Sequence, residues 1–336
     1  AWRDGSTRAL TSHDGIELIR GEGSFRSPHE VVVIPNDGSA EQVLSAERIF
    51  LNTGTRAFVP PIDGIDEVSA LDNRGILELG EVPDHLIVLG GGYIGLEFAQ
   101  MFRRFGAKIT VLEAAPRLAM PEDEEISEAV REIFLEDGIT VRTGVTATRA
   151  HKDSSGAITI ELDTSSRNER VSGSHLLVAV GRTPNTDRLN LDAAGVETDK
   201  RGYIKVNERL QTSQPHIFAL GDITGGPAFT HVSYDDYRIV AGNLLDGTNR
   251  TTTGRILPYA VFIDPQLAHV GLHESEARDA SHEIRTATLP MSHVARAIET
   301  NETRGLMKAT VDAKTDRILG ATILGIDGGE LMSLLQ

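Results

Sequence analysis

The sequence predicts an α/β protein with a Rossmann-like domain in the middle of the chain and a smaller α+β unit at its C-terminal end. Two observations predict this arrangement. From His85 to Val141, short apolar strands alternate with helical segments, as in a parallel sheet covered by helices. From Leu257 onward the pattern changes to antiparallel strands, which indicates a separate unit.

The Rossmann-like segment is recognised by its strands and its glycines. Leu86–Leu89 and Ile109–Leu112 are apolar runs with β-branched residues, typical of buried parallel strands. Leu96–Phe105, between them, predicts a helix that ends at Gly106. Ahead of these elements the chain is strand-like with turns, and Arg48–Gly54 predicts its clearest strand.

The later elements follow from the same signals. Pro121 and the acids after it predict a helix start, because proline suits the first turn and acids suit the positive end of the dipole. Gly138 ends that helix. The remaining predictions are a strand at Ile139–Val141, two or three antiparallel strands within Ala157–Val180, a strand at Ile217–Leu220, helices at Ser233–Leu245 and Glu274–Ala280, a hairpin of Leu306–Val311 with Ile318–Leu324, and the first turns of a helix at Gly329–Gln336.

Composition and charge narrow the classes of partner. The 336 residues carry a formal net charge of −16 and are 40% hydrophobic, which is normal for a folded protein. Net negative charge disfavours nucleic acid and anionic membranes, and no apolar run approaches the roughly 20 residues of a membrane helix. The sequence has no cysteine, hence no disulfide framework and no thiolate metal site. We expect a cytoplasmic protein without nucleic-acid or membrane partners.

The sequence after the first buried strand fits the dinucleotide motif G-x-G-x-x-G. Gly90 would make the tight turn, Gly92 would let the backbone approach a pyrophosphate, and Gly95 would let helix and strand pack closely. Glu113, at the end of the next strand, would accept from ribose hydroxyls and repel a 2′-phosphate, so NADH is favoured over NADPH. Arg117 nearby weakens that preference slightly. A strand-turn-helix without a ligand is the alternative.

Four other positions are candidates with plain structural alternatives. Asp222 could accept hydrogen bonds from a polyol chain, with Gly221 allowing close approach, although aspartate and glycine are also common turn residues. Tyr93 could cover a planar ring or be a surface aromatic. Glu97 could serve chemistry or merely the dipole of the first helical turn. His231 could line a site, but a structural histidine is the simpler reading.

His269 and His273 are the one pair of residues whose spacing in the sequence suggests metal ligands. They are four residues apart, but the surrounding strand-turn pattern would not place them on one helix face. The sequence shows no third ligand for them, and we therefore predict no metal site.

Together these segments resemble the pyridine nucleotide-disulfide oxidoreductase family, which includes dihydrolipoamide dehydrogenase, glutathione reductase and mercuric reductase. The resemblance is carried, over nearly the whole chain, by Leu51–Gly54, Gly90–Glu97, Glu113, Ala179–Asn185 and Ile217–Asp222. Within the family, the branch of NADH-dependent copper(II) reductases is similar at Pro60–Ile62, Phe229–Val240 and Pro258–Phe262.

The resemblance implies an FAD-binding domain at 1–80 and 202–255, an NAD-binding domain at 81–201 and a dimerisation domain at 256–336, hence a homodimer. It implies that Asp222 contacts the FAD ribitol, that Tyr93 gates the nicotinamide pocket and that Glu97 lies beside the nicotinamide. The cofactor-binding residues expected on this basis are Thr53, Gly54, Gly90, Gly91, Gly92, Tyr93, Ile94, Gly95, Glu113, Val145, Gly181, Arg182, Gly221, Asp222 and Thr230.

The implied chemistry is hydride transfer from NADH to flavin, then onward to a cysteine pair that reduces a metal ion (Cu2+ or Hg2+) or a disulfide. Three parts of the family pattern are absent: the first glycine motif, the cysteine pair and a C-terminal His-Pro segment. We expect all three to lie beyond the ends of a truncated chain. As it stands, we expect this chain to bind FAD poorly and not to reduce a metal ion or disulfide by the thiol route.

Two other functions are compatible with the sequence. One is a single-cofactor NAD-dependent dehydrogenase acting on a small substrate, for which the sequence offers no good general acid or base. The other is a non-catalytic NAD-binding module. Flavin absorbance would separate the reductase from the first, and nicotinamide oxidation with artificial acceptors would exclude the second.

Overall fold

A computed structural model of the chain describes residues 2–163 and 168–336. The chain divides into two compact units, one made of residues 1–56 and 183–255 and the other of residues 57–182 and 256–336. Among the described residues, no helix is both long and apolar enough to cross a membrane.

The helices and strands are numbered in chain order. In the first half they are α1 Trp2–Thr11, β1 Gly21–Ser27, β2 Glu30–Pro35, β3 Gln42–Ser45, β4 Ile49–Leu51, β5 Thr55–Ala57, β6 His85–Leu89, α2 Tyr93–Arg104, β7 Lys108–Leu112, α3 Glu124–Glu136, β8 Thr140–Arg142, β9 Thr146–Lys152, β10 Ile158–Asp163 and β11 Asn168–Gly173. In the second half they are β12 His175–Val178, β13 Arg182–Pro184, α4 Leu191–Ala194, β14 Ile217–Ala219, α5 Thr230–Leu245, β15 Tyr259–Val261, β16 Gln266–Gly271, α6 Glu274–Asp279, β17 Ile284–Pro290, α7 Ala295–Glu299, β18 Leu306–Asp312, β19 Ile318–Gly325 and α8 Gly328–Leu335.

The Rossmann-like sheet lies in the second unit and contains four parallel strands in the order β12-β6-β7-β8. Its apolar runs are buried on both faces, as expected of a parallel sheet covered by helices. Both helix starts differ from the prediction. The helix α2 begins at Tyr93, so that Gly95 lies in its first turn, and α3 begins at Glu124 after Asp123 at the N-cap position rather than at Pro121.

Strand β12 corrects one expectation. Antiparallel strands were predicted throughout Ala157–Val180, and β10 and β11 do pair that way. β12 instead pairs in parallel with β6 and belongs to the nucleotide-type sheet. Leu176 and Leu177 are both fully buried, on opposite faces, which fits a central parallel strand better than a half-exposed hairpin strand.

The first unit contains a three-stranded antiparallel sheet and a short parallel pair of β4 with β14. Leu51, Ile217 and Ala219 lie in its buried core, so the predicted strand Arg48–Gly54 is present as β4. The sequence does not predict the helix α1, because the first segment is typical of strands and turns, and from Asp4 to Thr11 the side chains of this helix are mostly exposed.

The C-terminal part contributes a five-stranded antiparallel sheet in the order β15-β16-β19-β18-β17. The predicted hairpin is confirmed as β18 and β19. Besides the expected α6 and α8, a short helix α7 follows β17. Val261, Ile263, Leu267 and Leu324 belong to the same buried cluster as strands of the Rossmann-like sheet, so the two sheets share one of the cores of the second unit. The three predicted domain boundaries stay a prediction.

Candidate functional site

The bend between β6 and α2 can be built only with glycine at two of its positions. Gly90 has φ +112°, and a Cβ there would lie 2.4 Å from the carbonyl oxygen of Ala179. A Cβ on Gly95 would lie 2.2 Å from the carbonyl oxygen of Gly90. These two glycines therefore serve packing, one in the turn and one where helix and strand meet closely, as their places in the motif predict.

Gly92 differs from both, because it faces open space. A Cβ on Gly92 would have no atom from elsewhere in the described chain within 4 Å. Gly92 is also the N-cap of α2, and no side chain in the described part of the chain caps that helix. The first N–H groups of a helix have no partner within the helix, so this end can accept a phosphate.

Glu113 points at the bend from the end of β7. Its Oε2 accepts from the N–H of Gly91 at 2.6 Å, and its Oε1 accepts from the N–H of Ala115 at 2.7 Å. The carboxylate is therefore fixed beside the uncapped helix end. A carboxylate held there can accept hydrogen bonds from the ribose hydroxyls of NADH and repels the 2′-phosphate of NADPH.

The other predicted residues of this unit differ in accessibility. Ile94 is half-buried in the first turn of α2. Val145 is only 5% exposed and packs into a core beneath the sheet, while its N–H donates to the carbonyl of Glu113 at 3.1 Å. Its side chain therefore has little surface to offer a cofactor. Gly181 has φ +144° and open space at its Cβ position, and Arg182 follows it at the start of β13.

Glu97 lies in the second turn of α2, so the dipole role expected of a first-turn acid does not apply. Its Oε1 accepts from the N–H of Phe262 at 2.8 Å. Burial raises the pKa of Glu97, and the Phe262 N–H opposes that rise. The side chain thus joins α2 to the end of β15 and favours its neutral form more than a surface glutamate does.

Tyr93 is not a surface aromatic. Its ring is partly buried and its hydroxyl donates to Oε1 of Glu122 at 2.7 Å. The Tyr259 hydroxyl donates to the same oxygen at 2.6 Å, and the two tyrosine rings lie 5.6 Å apart. Burial, and next the negative charge of Glu122, raise the pKa of Tyr93 far above its usual value. Both phenols therefore act as donors to one buried carboxylate.

Two histidines extend this arrangement. The Tyr259 hydroxyl is 3.1 Å from Nε2 of His273, and the His273 ring stacks on His269 with centroids 3.7 Å apart. His269 also contacts the Thr322 hydroxyl at 2.8 Å through Nδ1. Burial, followed by the nearby His273, lowers the pKa of His269 to about 4. We call Tyr93, Glu122, Tyr259, His269 and His273 the polar cluster.

The polar cluster contains a donor that the sequence does not reveal. The sequence shows no third donor for His269 and His273, but Glu122 supplies one: a ligand atom from each of the three lies within 4.8 Å of the others. Glu122 escapes sequence reasoning because it follows Pro121 in an acidic stretch that looks like a helix start. The feature that distinguishes Glu122 from its acidic neighbours is its burial, at 2% exposure. Burial is visible only in the folded structure.

In the first unit, Asp222 lies in the short 3-10 helix Gly221–Thr224 that follows β14. Its Oδ2 accepts from the Thr55 hydroxyl at 3.1 Å. Gly221 has φ +69° and its N–H donates to Oδ2 of Asp236 at 2.8 Å. A Cβ on Gly221 would lie 2.6 Å from the Ser233 hydroxyl, so this glycine packs against α5.

Thr53 and Gly54 are held by Asn185. The Thr53 hydroxyl donates to the Asn185 carbonyl at 3.1 Å, and the Asn185 N–H donates to the Gly54 carbonyl at 3.0 Å. Gly54 has φ +65° and open space at its Cβ position, as Gly92 does. Thr230 is exposed at the start of α5, whose N-cap Phe229 gives no side-chain cap. An uncapped helix end and an open glycine suit a phosphate and a flat ring.

The parallel sheet with its glycine bend, the strand-rich first unit and the antiparallel C-terminal sheet define a flavoprotein reductase of the two-nucleotide class. The chain belongs to the pyridine nucleotide-disulphide oxidoreductase family. The family model matches residues 3–236, and the model of the family's dimerisation domain matches residues 257–336. The family consists of oxidoreductases that use FAD and a pyridine nucleotide.

Individual relatives agree with the family. The chain is 39% identical over 329 residues to the "Probable pyridine nucleotide-disulfide oxidoreductase RclA" of Escherichia coli K12, covering 97% of this chain and 73% of that protein. It is 37% identical to a Staphylococcus aureus mercuric reductase, covering 96% of this chain but only 58% of that protein. A solved Cu(II) complex of the Escherichia coli flavoprotein disulfide reductase RclA superimposes with a TM-score of 0.90 at 37% identity, covering 99% of this chain and 74% of that one.

Proposed function

We propose that this chain carries the nucleotide-binding body of an NADH-dependent, FAD-containing reductase whose final acceptor is a metal ion or a disulfide. The observation that carries the proposal is the bend: Gly92 is open, α2 is uncapped in the described part of the chain, and Glu113 is fixed beside it. Bound NADH would supply a hydride and FAD would receive it. The chain's part is to hold both nucleotides and to exclude water.

Glu113 supports NADH over NADPH. Its two oxygens are oriented by backbone N–H groups, so the negative charge cannot turn away from an incoming 2′-phosphate. We expect Glu113→Gln to shift the ratio of NADPH to NADH dissociation constants at least about tenfold towards NADPH, about 1.4 kcal/mol. Fluorescence titration with each nucleotide measures the ratio. Glu132→Gln, on the exposed side of α3, is the matched control. A ratio that does not change in Glu113→Gln would contradict the preference.

Tyr93 and Glu97 are the side chains that we place at the nicotinamide end. Support comes from how firmly each is held: the Tyr93 hydroxyl by Glu122, and the Glu97 carboxyl by the Phe262 N–H. Neither is oriented by solvent alone. Glu122 is then a positioning residue, since it acts on the nicotinamide end through Tyr93.

FAD would be held in the first unit by Thr53, Gly54, Asp222 and Thr230. The open Cβ position of Gly54, the carboxylate of Asp222 and the uncapped start of α5 fit a ring, a polyol and a phosphate. We expect the chain to take up FAD weakly, with the visible absorbance of bound flavin, and Asp222→Ala to weaken that uptake. Asp246→Ala, at the exposed end of α5, should not. Equal uptake by both variants would contradict the FAD assignment.

The acceptor is proposed from the relatives, because mercuric reductases and a Cu(II) complex stand among them. The 336 residues contain no cysteine, so a thiol pair would have to come from outside them. With FAD added, we expect this chain to oxidise NADH with an artificial dye acceptor but not to reduce a disulfide, Cu2+ or Hg2+ through thiols. Support for a homodimer comes from the dimerisation-domain match at residues 257–336.

A further inference from the structure

Two buried atoms of the polar cluster lack a hydrogen-bond partner among the described residues. They are Oε2 of Glu122 and Nδ1 of His273, on side chains whose residues are 2% and 7% exposed. A buried polar atom left unpaired destabilises the fold, and buried polar groups are nearly always paired with protein, water or an ion. Neither the hydride chemistry proposed above nor the packing of the fold uses these two atoms.

The same two side chains belong to the three-donor group with His269, in which one ligand atom of each lies within 4.8 Å of the others. Two imidazole nitrogens with one carboxylate oxygen form a donor set that suits Zn2+ and Cu2+. Mg2+ and Ca2+ require more oxygen ligands than this group offers.

The other polar atom of each of the three side chains already has a hydrogen-bond contact, as is common for metal ligands. Oε1 of Glu122 accepts from Tyr93 and Tyr259, and Nε2 of His273 contacts the Tyr259 hydroxyl. Nδ1 of His269 contacts the Thr322 hydroxyl. Metal-binding histidines and carboxylates are commonly oriented by such neighbours, which leave one atom of each ligand for the ion.

We propose that Glu122, His269 and His273 form a binding site for one divalent transition-metal ion of the Zn2+ or Cu2+ class. Glu122 binds through Oε2 and His273 through Nδ1, the two atoms left over by the hydrogen bonds. His269 binds through Nε2, which gives up its contact with the Gly271 carbonyl at 3.1 Å. The two imidazole rings, stacked at an interplanar angle of 12°, turn so that their in-plane lone pairs converge on the ion.

The site is separate from the proposed electron acceptor. The three ligands reach no thiol, because the sequence has none, and the ion is held within the second unit alone. It shares Glu122 with Tyr93, so an ion there fixes the carboxylate that orients the Tyr93 ring. Ion binding can be measured in the protein without NADH or FAD, so its result does not depend on the proposed hydride transfer.

The test is titration of the chelator-treated protein with Zn2+ in a calorimeter, followed by electron paramagnetic resonance of the Cu2+ form. We expect one ion per chain, no heat with Mg2+, and coupling of Cu2+ to two imidazole nitrogens. Glu122→Gln and His269→Gln should each weaken Zn2+ binding at least about tenfold, in line with loss of one ligand. His273→Ala should do the same and leave one coupled nitrogen.

The matched control is His29→Ala. The exposed His29 stacks on the half-buried His216 with centroids 4.0 Å apart, but the two belong to no three-donor group within the described residues. The His29→Ala variant should bind Zn2+ as the unaltered protein does. Thermal unfolding checks that each variant is folded. If a histidine variant does not fold, the Zn2+ affinity of the near-isosteric Glu122→Gln variant tests the proposal. Unchanged Zn2+ affinity in Glu122→Gln, or an equal loss in His29→Ala, overturns the proposal.

Discussion

The glycine bend and the polar cluster occupy the same unit but are built from different materials. The bend consists of backbone: Gly90, Gly92 and Gly95 place N–H groups and leave space, and Glu113 is its one functional side chain. The polar cluster consists almost entirely of side chains, brought from α2, the loop before α3, β15, β16 and the start of α6.

The difference decides how each region fails. A backbone site is damaged by adding atoms, because a Cβ occupies the space that the ligand or a neighbouring strand needs. A side-chain site is damaged by removing atoms, because a buried polar group then loses its partner. Substitutions that add atoms at the bend and substitutions that remove atoms from the cluster can therefore test this difference within one unit.

The largest effect is expected at Lys308, which lies beside the polar cluster. It is 3% exposed, and its Nζ is 2.7, 2.6 and 2.5 Å from carboxylate oxygens of Asp123, Glu125 and Glu274. Lys308→Met keeps an unbranched side chain, one atom shorter, but leaves three acids without their cation. We expect the free energy of unfolding to fall by about 3–5 kcal/mol, as for a broken buried ion pair.

Denaturant unfolding measures that loss, and Lys314→Met is its control. Lys314 pairs with Glu283 at 3.3 Å, but both side chains are mostly exposed. Exposed pairs contribute about 0–1 kcal/mol, so this variant should be nearly neutral. If the two variants lost equal stability, the view that buried side-chain partners hold this region would be wrong.

The next effect separates two glycines of one motif. Gly95→Val would place side-chain atoms against the Gly90 carbonyl, which a Cβ alone already approaches to 2.2 Å. We expect a loss of about 1–3 kcal/mol in the free energy of unfolding, as for overpacking. Gly92→Ala adds its methyl to open space, so stability should change by no more than about 0.5 kcal/mol while NADH binding weakens.

Thermal unfolding and nucleotide titration on the same two variants give the readouts. The bend is a nucleotide site if stability and binding separate between them. If Gly92→Ala bound NADH as tightly as the unaltered chain, the open space beside α2 would not be where the pyrophosphate lies.

The bend can be predicted from the sequence because its parts are neighbours in the chain. A strand, three glycines, a helix and an acid at the next strand end are local signals, and each needs a residue type that physics allows there. The family and the fold class followed from the same segments and are confirmed. Roles assigned to individual residues, such as Val145 and Arg182, stay predictions.

The polar cluster was beyond sequence reasoning for the opposite reason. Glu122 and His273 meet only because α3 packs on the same core as β15 and β16, and no local pattern marks an acid that will be buried. The parallel pairing of β12 was missed on similar grounds, since an apolar run does not state the direction of its partner. Tertiary packing decides both.

The smallest effect is a pH dependence at Glu97, which lies on α2 after the bend and accepts from the N–H of Phe262, the residue after β15. Burial raises its pKa above the ordinary 4.5, so the folded state resists ionisation that the unfolded chain undergoes freely. Stability from this group is therefore present below about pH 4.5 and is lost as the pH rises through the folded-state pKa.

Glu97→Gln keeps an oxygen that accepts from the Phe262 N–H and removes the ionisation. We expect the variant to gain stability relative to the unaltered chain as the pH rises from 4 to 8, because only the unaltered chain has to ionise a buried carboxyl group. Unfolding in denaturant at several pH values measures the difference, with the lowest pH as its internal reference. A difference that stayed flat over this range would show that Glu97 ionises as easily in the folded protein as in the unfolded chain.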